Sequence, residues 1–120
     1  MGRFQGDLPE RTYLFARRVV QAVRTIVPGG EAWTIGRQLL KSGTSVGANV
    51  AEADTSLTAK EFAAFCNIAR REANETRLWL RLCRDEAILS EAVAEPLLVE
   101  CEEFERILAT IIRKTRGQDG

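Results

Sequence analysis

The sequence predicts an all-α fold, an antiparallel up-down-up-down four-helix bundle, on three observations. Apolar residues recur at intervals of three and four along four long segments, the spacing that puts side chains on one face of a helix. Pro9, Pro28 and Pro96, the only prolines, each fall near an expected helix end. Nothing reads as a strand hairpin, linker, low-complexity tract or internal repeat. Four amphipathic helices with short connections pack most simply in that topology. At 120 residues the chain is expected to be one domain, 1–120, with enough length to bury a core.

The first helix is expected over residues 8–27. Asp7 can cap it, Glu10 can reach back, and Pro9 loses no hydrogen bond in the first turn. Leu8, Thr12, Phe15, Val19, Ala22 and Ile26 form its seam, and Pro28-Gly29-Gly30 stops it. The second helix is expected over 34–54, opened by Thr34 or a neighbour, with Ile35, Leu39, Val46 and Val50 as its apolar line. Its interior glycines each cost about 0.5–1 kcal/mol against alanine, so Gly43 and Gly47 imply close packing against another helix or subunit. Their spacing would suit membrane dimerisation only within an apolar 20-mer, which Lys41, Ser42, Ser45 and Asn49 exclude.

Thr58 with Glu61 signals a capping box for the third helix, expected over 59–87. Its seam is Phe62, Phe65 with Cys66, Ala69, Ala73, Thr76, Leu80, Cys83 and Ala87. The fourth helix is expected over 94–115, with Pro96 in or near its first turn and Leu97, Cys101, Phe104, Leu108 and Ile111 on its seam. Residues Gly117 to Gly120 are expected to fray.

Composition excludes more chemistry than it suggests. The absence of histidine removes Ser-His-Asp and Cys-His catalysis, His-liganded zinc and the near-neutral imidazole switch. Cys66, Cys83 and Cys101 are odd in number and lack C-x-x-C spacing, which fits reduced core thiols in a cytoplasmic protein. No signal peptide is visible, and no apolar run approaches the 18 or more residues of a membrane span. No catalytic residue and no cofactor are expected.

The 17 basic and 17 acidic side chains cancel, which removes a global field attracting nucleic acid. Their distribution is uneven. Residues 1–48 carry seven basic and three acidic groups, a local excess that the remainder reverses. Arg70, Arg71, Arg77, Arg81 and Arg84 crowd the third helix, and eight acidic residues from Asp85 to Glu105 follow with no basic residue among them. Such bands are either a solvated surface or complementary faces for head-to-tail contact between subunits. Arg70, Arg71, Arg77 and Arg81 are candidate nucleic-acid contacts, although no aromatic is interleaved for base stacking.

One polar constellation stands out. Lys41, Ser45, Asn49 and Glu52 share a face of the second helix, and Glu72 and Glu75 flank the seam of the third. Ser45, Asn49, Glu52, Glu72 and Glu75 are expected to fix helix register or a subunit contact. The alternative is a metal- or ligand-binding bundle built on Asn49, Glu52, Glu72 and Glu75. A ferritin-like centre, however, takes Glu-x-x-His pairs, which a chain without histidine lacks.

The run Arg37 to Ala53, RQLLKSGTSVGANVAEA, resembles the signature of the four helix bundle protein family, also called the 23S rRNA intervening-sequence protein or S23-like family. Glu10-Arg11-Thr12 with Phe15-Ala16, the stretch Ile68 to Leu82, Pro96-Leu97-Leu98 and Ile107-Leu108 extend the similarity over roughly residues 8–115. Val50-Ala51 and Glu72 depart from the residues common in related sequences. The resemblance implies a bacterial, left-handed antiparallel bundle assembled as a ring, typically a homopentamer. It also implies a non-enzymatic scaffold or adaptor, with RNA or an RNA-associated protein as partner.

Overall fold

Four helices run in order α1 (Leu8–Val23), α2 (Gly30–Asp54), α3 (Ala59–Asp85) and α4 (Glu91–Asp119). They belong to a computed structural model that describes residues 2–119, with side chains to residue 117. No strand occurs among the described residues. The molecule is elongated, 47 × 21 × 20 Å. Its long axis is about the length of α4, because a 29-residue helix rises roughly 43 Å.

Each helix packs on the next in sequence, whereas α1 and α4 meet sparsely. Phe15, Val19, Leu39, Val46, Val50, Leu80, Phe104 and Leu108 fill the interior and are fully buried. The seam of α1 is buried from Leu8 to Ile26 as its spacing requires. In α4 the buried line ends on Ile112, with Ile111 half-buried beside it.

The ends of the helices differ from the sequence expectation, and each difference has a local cause. α1 stops at Val23, and Thr25 and Ile26 form tight turns onto Ala22 and Val23. Thr25, Ile26 and Val27 are β-branched, and Pro28 disfavours helical backbone at Val27. Asp7 makes no side-chain cap bond, since its backbone (φ −93°, ψ 12°) is not extended. α2 begins at Gly30, not Thr34. Gly29 and Gly30 reverse the chain at φ 92° and 77°, and Glu31 then meets the positive end of the helix dipole.

Thr58 caps α3 by accepting the Glu61 N–H at 3.1 Å. Glu61 in turn accepts from the Leu57 N–H at 3.3 Å, one residue before the expected partner. α3 ends at Asp85, so Ala87 does not extend its seam. Ala87 instead turns the chain in the left-handed region (φ 55°), exposed, while Ile88 and Leu89 donate back to the Cys83 carbonyl. α4 begins three residues early, and Ser90 accepts the Val93 N–H at 3.3 Å. Pro96 therefore lies in the second turn. It and Ala92, whose carbonyl loses its helical donor, are both exposed to water. The expected fraying does not begin at Gly117, because α4 continues to Asp119; Gly120 lies outside the described residues.

One end of the bundle gathers the start of α1, the α2–α3 turn and the last turns of α4. The chain before α1 is tied there. Arg3 donates its N–H to the Asp54 carbonyl at 3.0 Å and its Nε to the Ser56 carbonyl at 2.8 Å. Phe4 donates its N–H to the Asp54 carboxylate and sets its ring against Phe62, 5.1 Å between centroids. Among the described residues no helix is long and apolar enough to cross a membrane.

Candidate functional site

The polar constellation is spread along α2 and α3. Asn49 donates Nδ2 to the Ser45 carbonyl at 2.9 Å and hydroxyl at 3.2 Å, both one turn back on its own helix. Glu75 likewise accepts from the Trp79 indole N–H on its own helix at 3.3 Å. Glu52 is exposed near the end of α2, beside the turn into α3. Glu72 lies 13 residues into α3, roughly 20 Å up the helix. The structure thus separates Glu52 from Glu72 and Glu75 by roughly three to four helical turns. Among the described residues no group of three or more His, Cys, Asp or Glu is arranged to hold a metal. Asn49 and Glu52 in the last turns of α2 and Glu72 and Glu75 in the middle of α3 are thus not gathered at one point.

The Lys41 charge on α2 reaches the Glu72 carboxyl on α3 without forming an ion pair with it among the described residues. Burial pushes the Glu72 carboxyl above its ordinary value, Glu75 adds to this, and Lys41 and Arg71 oppose it. A carboxyl raised in the folded state favours folding when protonated, and that advantage is lost as pH rises through its folded value. Glu72→Gln is therefore expected to raise the melting temperature slightly at pH 7, and the gain should vanish below about pH 4. Thermal unfolding at both pH values checks this, and an equal gain at both would refute it.

Gly43 and Gly47 face α1. A Cβ on Gly43 would stand 2.9 Å and 3.0 Å from the two methyls of Val19, and one on Gly47 3.1 Å from the Thr12 carbonyl oxygen. Gly36 plays the same part nearer the other end, 2.7 Å from the Ile26 terminal methyl. That third contact has a sequence signal, a glycine seven residues before Gly43 on the same face.

The arginines of α3 have unequal surroundings. Arg77 is paired with Glu105 at 2.8 Å, and its guanidinium also donates to Asn74. Arg70 donates to Asn67, while Arg71 and Arg81 form no ion pair among the described residues. Much of the acidic band on α4 is engaged within the chain. Glu95 meets Arg84 at 3.0 Å, and Glu100 meets Arg18 at 2.7 Å. Arg11 holds Glu103 at 3.1 Å, which keeps the Glu103 carboxyl below its ordinary value. The Arg18 and Arg11 bridges span the seam where α1 and α4 hardly touch. Sequence reading did not single out Arg17 on α1, Arg24 just after it and Arg37 on α2, basic and exposed with no ion pair among the described residues. Their signal was the basic excess of residues 1–48.

The three cysteines are free and buried. Burial pushes the Cys66 and Cys101 thiols up to about 12 and Cys83 to about 11, so none is a thiolate near neutral pH.

A solved structure from Bacteroides thetaiotaomicron VPI-5482, described as a protein of unknown function from the S23 ribosomal protein family, superposes with a TM-score of 0.80. It is 32% identical, over 87% of this chain and 96% of that one. No curated protein matches the chain. The family model for the 23S rRNA-intervening sequence protein matches residues 7–110, which includes all of α1, α2 and α3 and most of α4. With that coverage and a bundle shared with a member of known structure, the chain belongs to the 23S rRNA-intervening sequence protein family.

Proposed function

We propose that this protein is a non-enzymatic scaffold or adaptor, an up-down-up-down, left-handed bundle whose copies close into a ring of five in the cytoplasm. Its partner is RNA or an RNA-associated protein. The observation that supports assembly most is a second stripe on α3, pointing away from the core. Ile68, Arg71, Glu75, Leu78 and Leu82 recur at three, four, three and four along it. Ile68 and Leu78 are 41% and 50% exposed, with Arg71 and Glu75 between them, a mixed apolar and charged stripe on a bundle whose interior is already filled.

Light scattering at micromolar concentration is expected to give about five times the 13.4 kDa chain mass, and Ile68→Glu with Leu78→Glu should reduce it. A 13.4 kDa particle would refute the assembly. The RNA part has a separate test. Binding of a short RNA should weaken as salt rises from about 50 to 200 mM. Replacing Arg70, Arg71, Arg77 and Arg81 with glutamine should lower the logarithmic salt slope by about 3, less than four full contacts because Glu105 already neutralises Arg77. No binding by the native protein at about 50 mM salt would leave the protein partner alone standing.

A further inference from the structure

Where the chain before α1 crosses the end of the bundle, α1 and α4 part around a groove of about 630 Å³. That volume is within the range of small-molecule sites. Its floor is apolar: Leu8 and Phe62 are buried, and Ile107 and Ile111 half-buried. Phe4, its ring tilted against that of Phe62, closes one side.

The rim has the opposite character. Arg3 and Lys114 are exposed on it. Arg3 donates its Nε to the Ser56 carbonyl and lies 6.0 Å over the Phe62 ring, and its terminal guanidinium nitrogens form no hydrogen bond among the described residues. Lys114 forms no ion pair among the described residues. Arg11 adds positive field from the wall, although Glu103 already holds it. Asp7 is the one acidic residue of the lining, and it is exposed.

An apolar floor beneath cations matches one chemical class. We propose that this groove binds a small amphipathic anion, an unbranched apolar chain ending in a carboxylate. The chain lies against Phe62, Ile107 and Ile111, and the carboxylate meets Lys114 and Arg3. A cationic amphiphile would set like charges against the rim, and a short carboxylate would leave the floor wet. The site lies at the end of the bundle that holds the α2–α3 turn, apart from the middle of α3 where the outward stripe begins. It stands independently of ring assembly or RNA binding.

Isothermal titration of the full chain with sodium decanoate tests the proposal, with butyrate and decyltrimethylammonium as controls for tail and head. Decanoate is expected to saturate one site per chain, and both controls to bind at least about tenfold more weakly, a difference of roughly 1.4 kcal/mol. Lys114→Glu, on an exposed position, should weaken decanoate about tenfold with helicity unchanged. Ile111→Gln should weaken it through the tail, again with circular dichroism as the check on folding. Absence of decanoate binding would overturn the proposal, as would equal binding of the cationic amphiphile or an unaltered affinity in Lys114→Glu. So would release of heat on dilution of the protein alone that decanoate abolishes, since that would place a second copy in the groove.

Discussion

Replacing Phe104 with alanine is expected to cost about 3–5 kcal/mol and to lower the melting temperature by roughly 10–20 °C. Phe104 is fully buried, and its ring meets that of Phe15 edge-on, 5.3 Å between centroids at 83°. The Arg11 guanidinium lies 5.1 Å above the same ring. Truncation thus removes the transfer energy of a whole aromatic ring, leaves a void and forfeits the edge-to-face contact. Its place in the fold sharpens the effect. Phe15 is on α1 and Phe104 on α4, the two helices with the sparsest contact, so this pair is an apolar join between them. Urea unfolding followed by circular dichroism measures the loss. Protein concentration must be held fixed, because any assembly adds to the apparent stability. A loss below about 1 kcal/mol would show that the α1–α4 seam does not depend on this pair.

The second large effect runs the other way in volume. Gly43→Leu is expected to destabilise by about 2–3 kcal/mol, because the new side chain has no room beside Val19. Both Val19 methyls lie within 3.0 Å of the added Cβ alone, and a buried β-branched residue has no other rotamer to adopt without strain. Gly43→Ala is the finer probe. Alanine improves helix propensity by about 1 kcal/mol, so a net loss would mean that the clash exceeds that gain. Val19→Ala removes the two methyls, and the pair Val19→Ala with Gly43→Ala should be more stable than the sum of the single changes. A double-mutant cycle reads this directly. Strict additivity would place α1 farther from Gly43 than the distances above.

The helices and their buried lines were legible because both follow from period and residue size. Phe15, Val19, Leu39, Leu80 and Phe104 are apolar at helical spacing, and nothing in the chain competes with that signal. The helix ends were less legible for different reasons at each place. Gly29 and Gly30 read as a stop for α1, but the same two residues also start α2, because their positive φ completes the reversal within two residues. Ala87 continues the seam by spacing, yet the reversal into α4 required a left-handed residue there. Pro96 suggested a first turn, whereas its exposure to water lets it sit in the second.

The polar residues were read least well. Helical spacing puts Lys41, Ser45, Asn49 and Glu52 on one face, but it says nothing of register against the neighbouring helix. Register decides that the charge of Lys41, and not that of Glu52, acts on the Glu72 carboxyl. It also decides that Asn49 satisfies itself on its own helix. The groove at the end of the bundle lay beyond a pattern-based reading altogether. Its lining combines the segment before α1, the start of α3 and the last turns of α4, which are more than 40 residues apart in sequence.

Because each helix packs chiefly on its successor, almost every interface forms between segments joined by a short loop. Such contacts close small loops, which is the topology of fast folding. Hairpins α1–α2, α2–α3 and α3–α4 can each zip locally, and the α1–α4 edge, fastened by arginine–glutamate bridges and one aromatic pair, is the last to shut. The same edge is then the first to open. A chain emerging from synthesis could complete three of its four interfaces before a second copy arrived, leaving the remaining edge as the slow, salt-sensitive step.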